Sequence, residues 1–261
     1  MTSERILFLS DGHCGHIGGL TPPEYRINAE LCKDLGGDWL GVEEKCWEFF
    51  VEQVKGKEFD GCICAGDWIE GKALKSGGRD LLVADRDVQV KIALRCLEEV
   101  NAKRWAFVYG TGYHVGQDER WERKIAKAKG APIEDILSIN IMGKLLRVKD
   151  HGSRTSTPVG GDIAIRKHMV HELVWQRDHG IQPADIYAFG HVHYYREIRD
   201  SKWVAFTLPA LQAWTEFGAN RCSGVFHFGT LEMEVFEDGR VETEKHLMEL
   251  KTAKLTEVLE W

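Results

Sequence analysis

Five apolar runs of strand length in this chain each end in a short segment of glycine, aspartate and histidine. Arg5–Ser10 runs into Asp11-Gly12-His13, 59–65 into Gly66-Asp67, and 104–109 into Gly110-Thr111-Gly112-Tyr113-His114. Lys144–Asp150 runs into His151-Gly152, and 184–189 into Gly190-His191-Val192-His193. Apolar stretches of this length bounded by turn residues read as buried strands. Between the first three lie helical patterns near 23–34, 42–55 and 84–101, where Val88, Ile92, Leu94, Leu97 and Val100 recur at helical spacing. Alternating strand and helix predicts a parallel α/β half. The Asp/His segments then gather at the carboxyl ends of the strands, where open α/β sheets place their ligands.

The second half changes character. A charged helix is expected near 117–129, a hairpin turning at Gly143, a helix near 162–180 and a strand at 185–189. From about 194 the pattern is mostly β, at 194–199, 203–208 and 222–228, and Asp238-Gly239 marks a tight turn between two further strands. No repeat or linker interrupts the chain, so one domain over 1–261 with a β-rich C-terminal part is expected. The fold class is α/β: two packed mixed β-sheets flanked by helices, a four-layer α/β/β/α sandwich.

With 43% hydrophobic residues the chain has ample core material. Its net charge of −7 and lack of a basic stripe disfavour tight nonspecific duplex binding without excluding a nuclease. No apolar run approaches the roughly 20 residues of a membrane span. The start lacks a basic leader and the end lacks a lipidation signal. Seven cysteines without framework spacing fit reduced thiols and a cytoplasmic setting.

At a strand end, Asp11 and His13 project to the same side. A carboxylate and an imidazole there can hold a hard or borderline cation; alone, the pair is a turn aspartate beside a surface histidine. Gly66 lets the backbone turn closely, and Asp67 can give one oxygen to each of two ions; in isolation it would be a helix cap. His191 and His193 share a side as Asp11 and His13 do, and His151 fills a further place. Together the five segments offer two carboxylates and five imidazoles. That set can hold two divalent ions around a shared carboxylate, an arrangement that clamps both oxygens of a phosphoryl transfer.

Other residues are secondary candidates. His16 lies in a glycine-rich loop beside the site and is a candidate substrate contact, and Arg154 a candidate partner for a phosphate oxygen. His168 and His171 read as a solvated helix face. Cys62 and Cys64 read as packed thiols, Cys14 as near the site without ligating, and Trp203 and Trp214 as core. The stretch 70–83 reads as a loop that sets substrate choice.

These residues resemble the calcineurin-like metallophosphoesterase superfamily, whose motifs run Asp-x-His, Gly-Asp, Gly-Asn-His, a lone His before a small residue, and Gly-His-x-His. The resemblance spans 6–193, and the segments around Asp11 and Gly110 are especially similar to phage and prophage members, implying a host cytoplasm. It implies that Asp11, His13, Asp67 and His193 bind one metal, and that Asp67, His151 and His191 bind the other. It also implies a metal-activated water that hydrolyses phosphate esters, with phosphodiesters favoured. Mn²⁺ is the expected ion, with Zn²⁺, Fe and Ni²⁺ open because such ligands do not decide among them. The expected partner is a phosphate-ester substrate, a nucleotide or nucleic acid included, and no membrane.

The third motif departs from the pattern. The ligating Asn is missing, and its place is open to Thr111, to His114 itself or to water. The histidine that protonates the leaving group maps to His114; Val115 stands where a carboxylate is expected, and the nearest acids are Asp118 and Glu119. Two alternatives follow: a metal-dependent DNA nuclease, and a binding module on a catalytically weakened scaffold.

Overall fold

The computed structural model describes residues 2–30, 32, 38–74, 77–78, 80–115, 120–152, 158–213 and 226–250. Thirteen strands are described. β1 (Ser3–Ser10), β3 (Gly61–Ala65), β5 (Trp105–Val108) and β6 (Ile133–Glu134) run parallel in one sheet. β12 (Phe228–Phe236) and β13 (Val241–Met248) complete it, antiparallel, in the order β13-β12-β1-β3-β5-β6. The second sheet has the order β10-β11-β9-β8-β7, from Arg196–Arg199, Val204–Thr207, Ile186–Phe189, Lys144–Lys149 and Ile136–Ile141 respectively. β2 (Glu58–Phe59) and β4 (Asn101–Ala102) form a small parallel pair.

Side-chain alternation along β1 shows how the layers stack. Ile6 and Phe8 enter a core shared with Leu146, Val148, Ile186, Val204 and Phe206 of the second sheet. Leu7 and Leu9 enter a separate core under the helices Trp39–Val54, Arg86–Leu97 and Glu122–Ala128. Phe8 meets Phe206 edge-on at 5.3 Å between ring centroids; truncating such a buried ring typically costs about 3–5 kcal/mol. On the far side Ile165 and Met169 of the helix Pro158–His179 pack on Tyr187, Phe189 and Ala205. The layers are therefore helix, sheet, sheet, helix, as expected for this α/β class. Asp85 starts the helix Arg86–Leu97 by accepting from Asp87 N (2.8 Å) and Val88 N (3.4 Å).

The β-rich C-terminal part is divided between the sheets: β10 and β11 join the second, while the hairpin β12–β13 crosses to the first and lies beside β1. Several expectations need correction. The expected helix over 23–34 begins as a single 3-10 turn, Pro23–Tyr25, which ends at Arg26, where ψ of 151° is extended rather than helical. β12 and β13 are the two strands expected on either side of Asp238-Gly239; of the separate strand expected at 222–228, residues 222–225 lie outside the described set and Phe226 and His227 are not in a strand. His168 is not solvated: it is 7% exposed, packed against Phe189 and 3.5 Å from Glu172, which also pairs with Arg147. Cys62 and Cys64 are buried thiols, as expected. No helix among the described residues is long and apolar enough to cross a membrane.

Candidate metal centre

The ends of β1, β3, β5, β8 and β9 meet on one rim, because β1, β3 and β5 are mutually parallel and β8 is parallel to β9. Backbone bonds lock the loops that follow: Asp11 N donates to Gly66 O (3.1 Å), His13 N to Asp67 O (2.9 Å) and Gly190 N to Lys149 O (3.2 Å). His191 N donates to Asp11 Oδ2 (3.0 Å), tying the second sheet to the first. Asp11, His13, Asp67, His191 and His193 all have φ between 42° and 71°. That left-handed backbone is uncommon for residues with a Cβ and costs about 1–3 kcal/mol each, so it persists only where the surroundings enforce it. Among the described residues only Ala73, Arg120 and Met142 share this conformation outside glycine, so the strain concentrates on the rim.

One side of the centre is Asp11, His13 and His193, each offering one ligand atom within 4.8 Å of the others. His193 Nε2 lies 3.2 Å from Asp11 Oδ1 and 3.3 Å from His13 Nε2, which is 4.0 Å from Asp11 Oδ1. Asp11 Oδ1 is buried without a hydrogen-bond partner. His13 Nδ1 lies 2.8 Å from Glu70 Oε2. With Nδ1–H donating there, Nε2 keeps its lone pair facing Asp11 and His193. Burial, reinforced by His114 and His193, pushes the His13 pKa well below its ordinary value, so the ring is neutral and fit to ligate. Sequence reading missed Glu70; its only signal was a carboxylate three residues after Asp67.

The other side gathers Asp67, Asp150, His151 and His191. His191 Nδ1 lies 3.7 Å from Asp67 Oδ2 and 4.0 Å from Asp150 Oδ2, and His151 Nδ1 lies 3.2 Å from Asp150 Oδ2. The two imidazoles stand 3.9 Å apart between centroids. One oxygen each from Asp11, Asp67 and Asp150 lies within 4.8 Å of the others, so the two sides share a carboxylate wall. Burial raises the Asp67 pKa, but His114, His191 and His13 outweigh it and hold the group below the ordinary carboxylate range. A Cβ on Gly110 would sit 2.1 Å from Asp67 Oδ1, so only glycine lets this loop pass. Beside His151 opens a cleft of about 280 Å³ lined by Tyr109, Thr111, Ile136 and Lys149 among others.

Thr111 lines the same cleft as His151 and is tied to Asp67. Its N donates to Asp67 Oδ1 (2.8 Å) and its hydroxyl lies 3.3 Å from the same oxygen. His114, in the short helix Gly112–Val115, packs edge-on to His13 at 4.6 Å, with Nδ1 3.0 Å from Glu70 O. Burial lowers its pKa, yet Asp67 and Glu70 prevail and the net direction is upward. Glu122, also missed from sequence, accepts from Trp68 N and Gly110 N, both at 2.7 Å, and so braces both loops around Asp67. Burial and the Asp67 charge push its carboxyl up to about 8.

His16 is buried and accepts from Gly18 N at 2.9 Å; burial pushes its pKa down to about 4. Its ring shapes the loop and stands outside the groupings above. Cys14 is buried, its thiol 3.4 Å from Leu20 O and in the core under the helices. Arg154, Trp214, Asp118 and Glu119 lie outside the described residues. A separate grouping of Glu232, Glu244 and His246 is already neutralised at Glu232 by Arg5 and Lys57.

The donor set fits divalent ions. Bonds of about 2.0–2.2 Å to one ion put ligand atoms within roughly 4.4 Å of each other, close to the observed spacing. Carboxylate with imidazole suits Mn²⁺, Zn²⁺, Fe or Ni²⁺, and the orphaned Asp11 Oδ1 faces the centre.

No protein-family model matches the sequence, and no curated protein matches it significantly. Among solved structures, an archaeal phosphodiesterase is 14% identical with a TM-score of 0.44, covering 93% of this chain and 99% of that chain. Vps29 from Entamoeba histolytica complexed with zinc is 14% identical with a TM-score of 0.46, covering 93% of this chain and 98% of that chain. A predicted phosphoesterase from Streptococcus pneumoniae is 13% identical with a TM-score of 0.39, covering 95% and 99%. At these similarities function rests on the side chains of this chain alone.

Proposed function

We propose that this protein is a dinuclear-metal phosphoesterase that hydrolyses phosphate esters, with phosphodiesters the favoured class. One observation carries the reading. Six side chains that sequence placed at four strand ends, Asp11, His13, Asp67, His151, His191 and His193, converge on one rim, and all but His151 sit on left-handed backbone. Asp11, His13 and His193 would hold one ion, His151 and His191 the other, and Asp67 would serve both. Such ions supply Lewis acidity, lowering the pKa of water toward neutrality and neutralising phosphoryl charge.

The rest is work for this chain. Glu70 fixes the His13 tautomer through Nδ1. Thr111 N and the brace of Glu122 fix Asp67. His114 binds Glu70 O through Nδ1, which leaves Nε2 to carry the proton for the leaving oxygen. The cleft beside His151, with Tyr109 and Ile136 as apolar wall and Lys149 as cation, receives the ester group.

The test is hydrolysis of bis(p-nitrophenyl) phosphate and of single- and double-stranded DNA with Mn²⁺. Asp67→Ala and His193→Ala are expected to lose at least about a thousandfold in rate, a barrier increase of about 4 kcal/mol. Full activity in either variant with unchanged metal content refutes the mechanism. Cleavage of DNA alone moves the assignment to a nuclease, and two bound ions without any hydrolysis moves it to a binding module.

A further inference from the structure

Resting on the dinuclear reading, we infer that Asp150 is a metal ligand and takes the coordination place left by the missing asparagine. Sequence patterning gave Asp150 no role, since an aspartate before a loop is commonplace. In the fold it is 4% exposed, and its Oδ1 is buried without a hydrogen-bond partner. A buried carboxylate oxygen left unpaired is costly unless a cation or donor meets it. Its other oxygen lies 3.2 Å from His151 Nδ1 and 4.0 Å from His191 Nδ1. Asp150 is the one residue common to the group with His151 and His191 and the group with Asp11 and Asp67. It therefore faces the second ion's ligands and the shared carboxylate together.

The backbone makes room for this. Gly66 adopts φ +77, and a Cβ there would sit 2.1 Å from Asp150 Oδ1; at Gly190 it would sit 3.1 Å away. The two glycines leave the space into which the carboxylate reaches. Thr111, one rival for the vacant ligand place, is tied to Asp67 through its N (2.8 Å) and has its hydroxyl 3.3 Å from the same oxygen. The second ion would then have two carboxylates and two imidazoles, one more negative charge than an amide ligand gives. Such a set is harder and favours Mn²⁺ over softer ions.

The experiment is Mn²⁺ titration of the metal-free full chain by calorimetry, with bound metal counted by elemental analysis. Electron paramagnetic resonance reports whether two Mn²⁺ ions are spin-coupled. The wild type should bind two ions and show coupling. Asp150→Ala should keep one tight ion, bind the second at least about tenfold more weakly, and lose the coupled signal. The isosteric Asp150→Asn, which keeps a carbonyl oxygen, should fall between the two and guards against a folding failure; circular dichroism with chelator present checks both variants. A wild type that binds two ions, with Asp150 variants of unchanged second affinity, overturns this inference and leaves the dinuclear reading standing. A wild type that binds fewer than two overturns both. If Thr111→Ala removes the second ion while the Asp150 variants do not, the place belongs to Thr111 and the inference falls.

Discussion

Glu122 offers a test in which two opposing effects have different pH dependence. Its carboxylate is buried and accepts from Trp68 N and Gly110 N, each at 2.7 Å. Replacing it by Gln keeps one carbonyl acceptor and turns an amide NH₂ against the other backbone N–H. One buried donor left unpaired costs about 1–3 kcal/mol at any pH. Against this stands the burial of the acid, which raises its pKa from 4.5 to about 8. A raised carboxyl pKa means the folded protein holds the proton more tightly. Its stabilising contribution is complete below pH 4.5 and is lost as pH rises through about 8. Over pH 5 to 8 that loss is about 3–4 kcal/mol in the wild type and absent in Glu122→Gln. The difference between the two proteins should therefore change sign. In urea unfolding with chelator present, the variant should be about 1–3 kcal/mol less stable at pH 5 and as stable or more so at pH 8. An equal deficit at both pH values would refute the account of Glu122 as a buried acid held by two loop donors.

Two further outcomes follow from the same geometry. His114→Ala should slow phosphodiesters with alkoxide leaving groups at least about a hundredfold, and p-nitrophenolate esters far less, because only the poor leaving group needs a proton; equal losses in steady-state rates would remove the acid role. His191 sits at φ 71 with its side chain partly exposed. At ordinary sites Ala outranks Gly in stability, but here His191→Gly should be about 1 kcal/mol more stable than His191→Ala in metal-free thermal unfolding. The usual order would show that the backbone is not strained.

Legibility in the sequence tracked how local each signal is. The apolar run of β1, the Arg86–Leu97 helix and the hairpins at Gly143 and Gly239 arise from neighbours in sequence and could be read directly. The seating of β12 beside β1 could not, because the register Ser3↔Phe236 joins opposite ends of the chain and the strand's pattern does not say which edge it takes. The histidines at strand ends stood out because glycine and histidine cluster there. Glu70, Glu122 and Asp150 did not: carboxylates in loops and first helical turns are ordinary, and only the assembled backbone shows where these three point. His168 was misjudged for a related reason. Its place in mid-helix, away from any strand end, suggested a wet face, yet His168 is buried beside the Arg147–Glu172 ion pair, while Ile163, Val170 and Leu173 face outward.

The positive φ of the candidate ligands explains why such a centre would be built on strand ends rather than on helices. Five such residues at about 1–3 kcal/mol each amount to a strain comparable with the whole net stability of a typical domain. A flexible loop would relax out of it. Here Asp11, Asp67 and His191 each follow a strand paired on both sides, and the bonds Asp11 N to Gly66 O, His13 N to Asp67 O and His191 N to Asp11 Oδ2 hold the turns from within. The apolar layer of Phe8, Val108, Val148 and Ala188 directly beneath resists relaxation in the same direction. Rigid strands thus carry the cost of aiming carboxylates at one another, a geometry that the free chain would avoid by repulsion and that a pair of cations would reward.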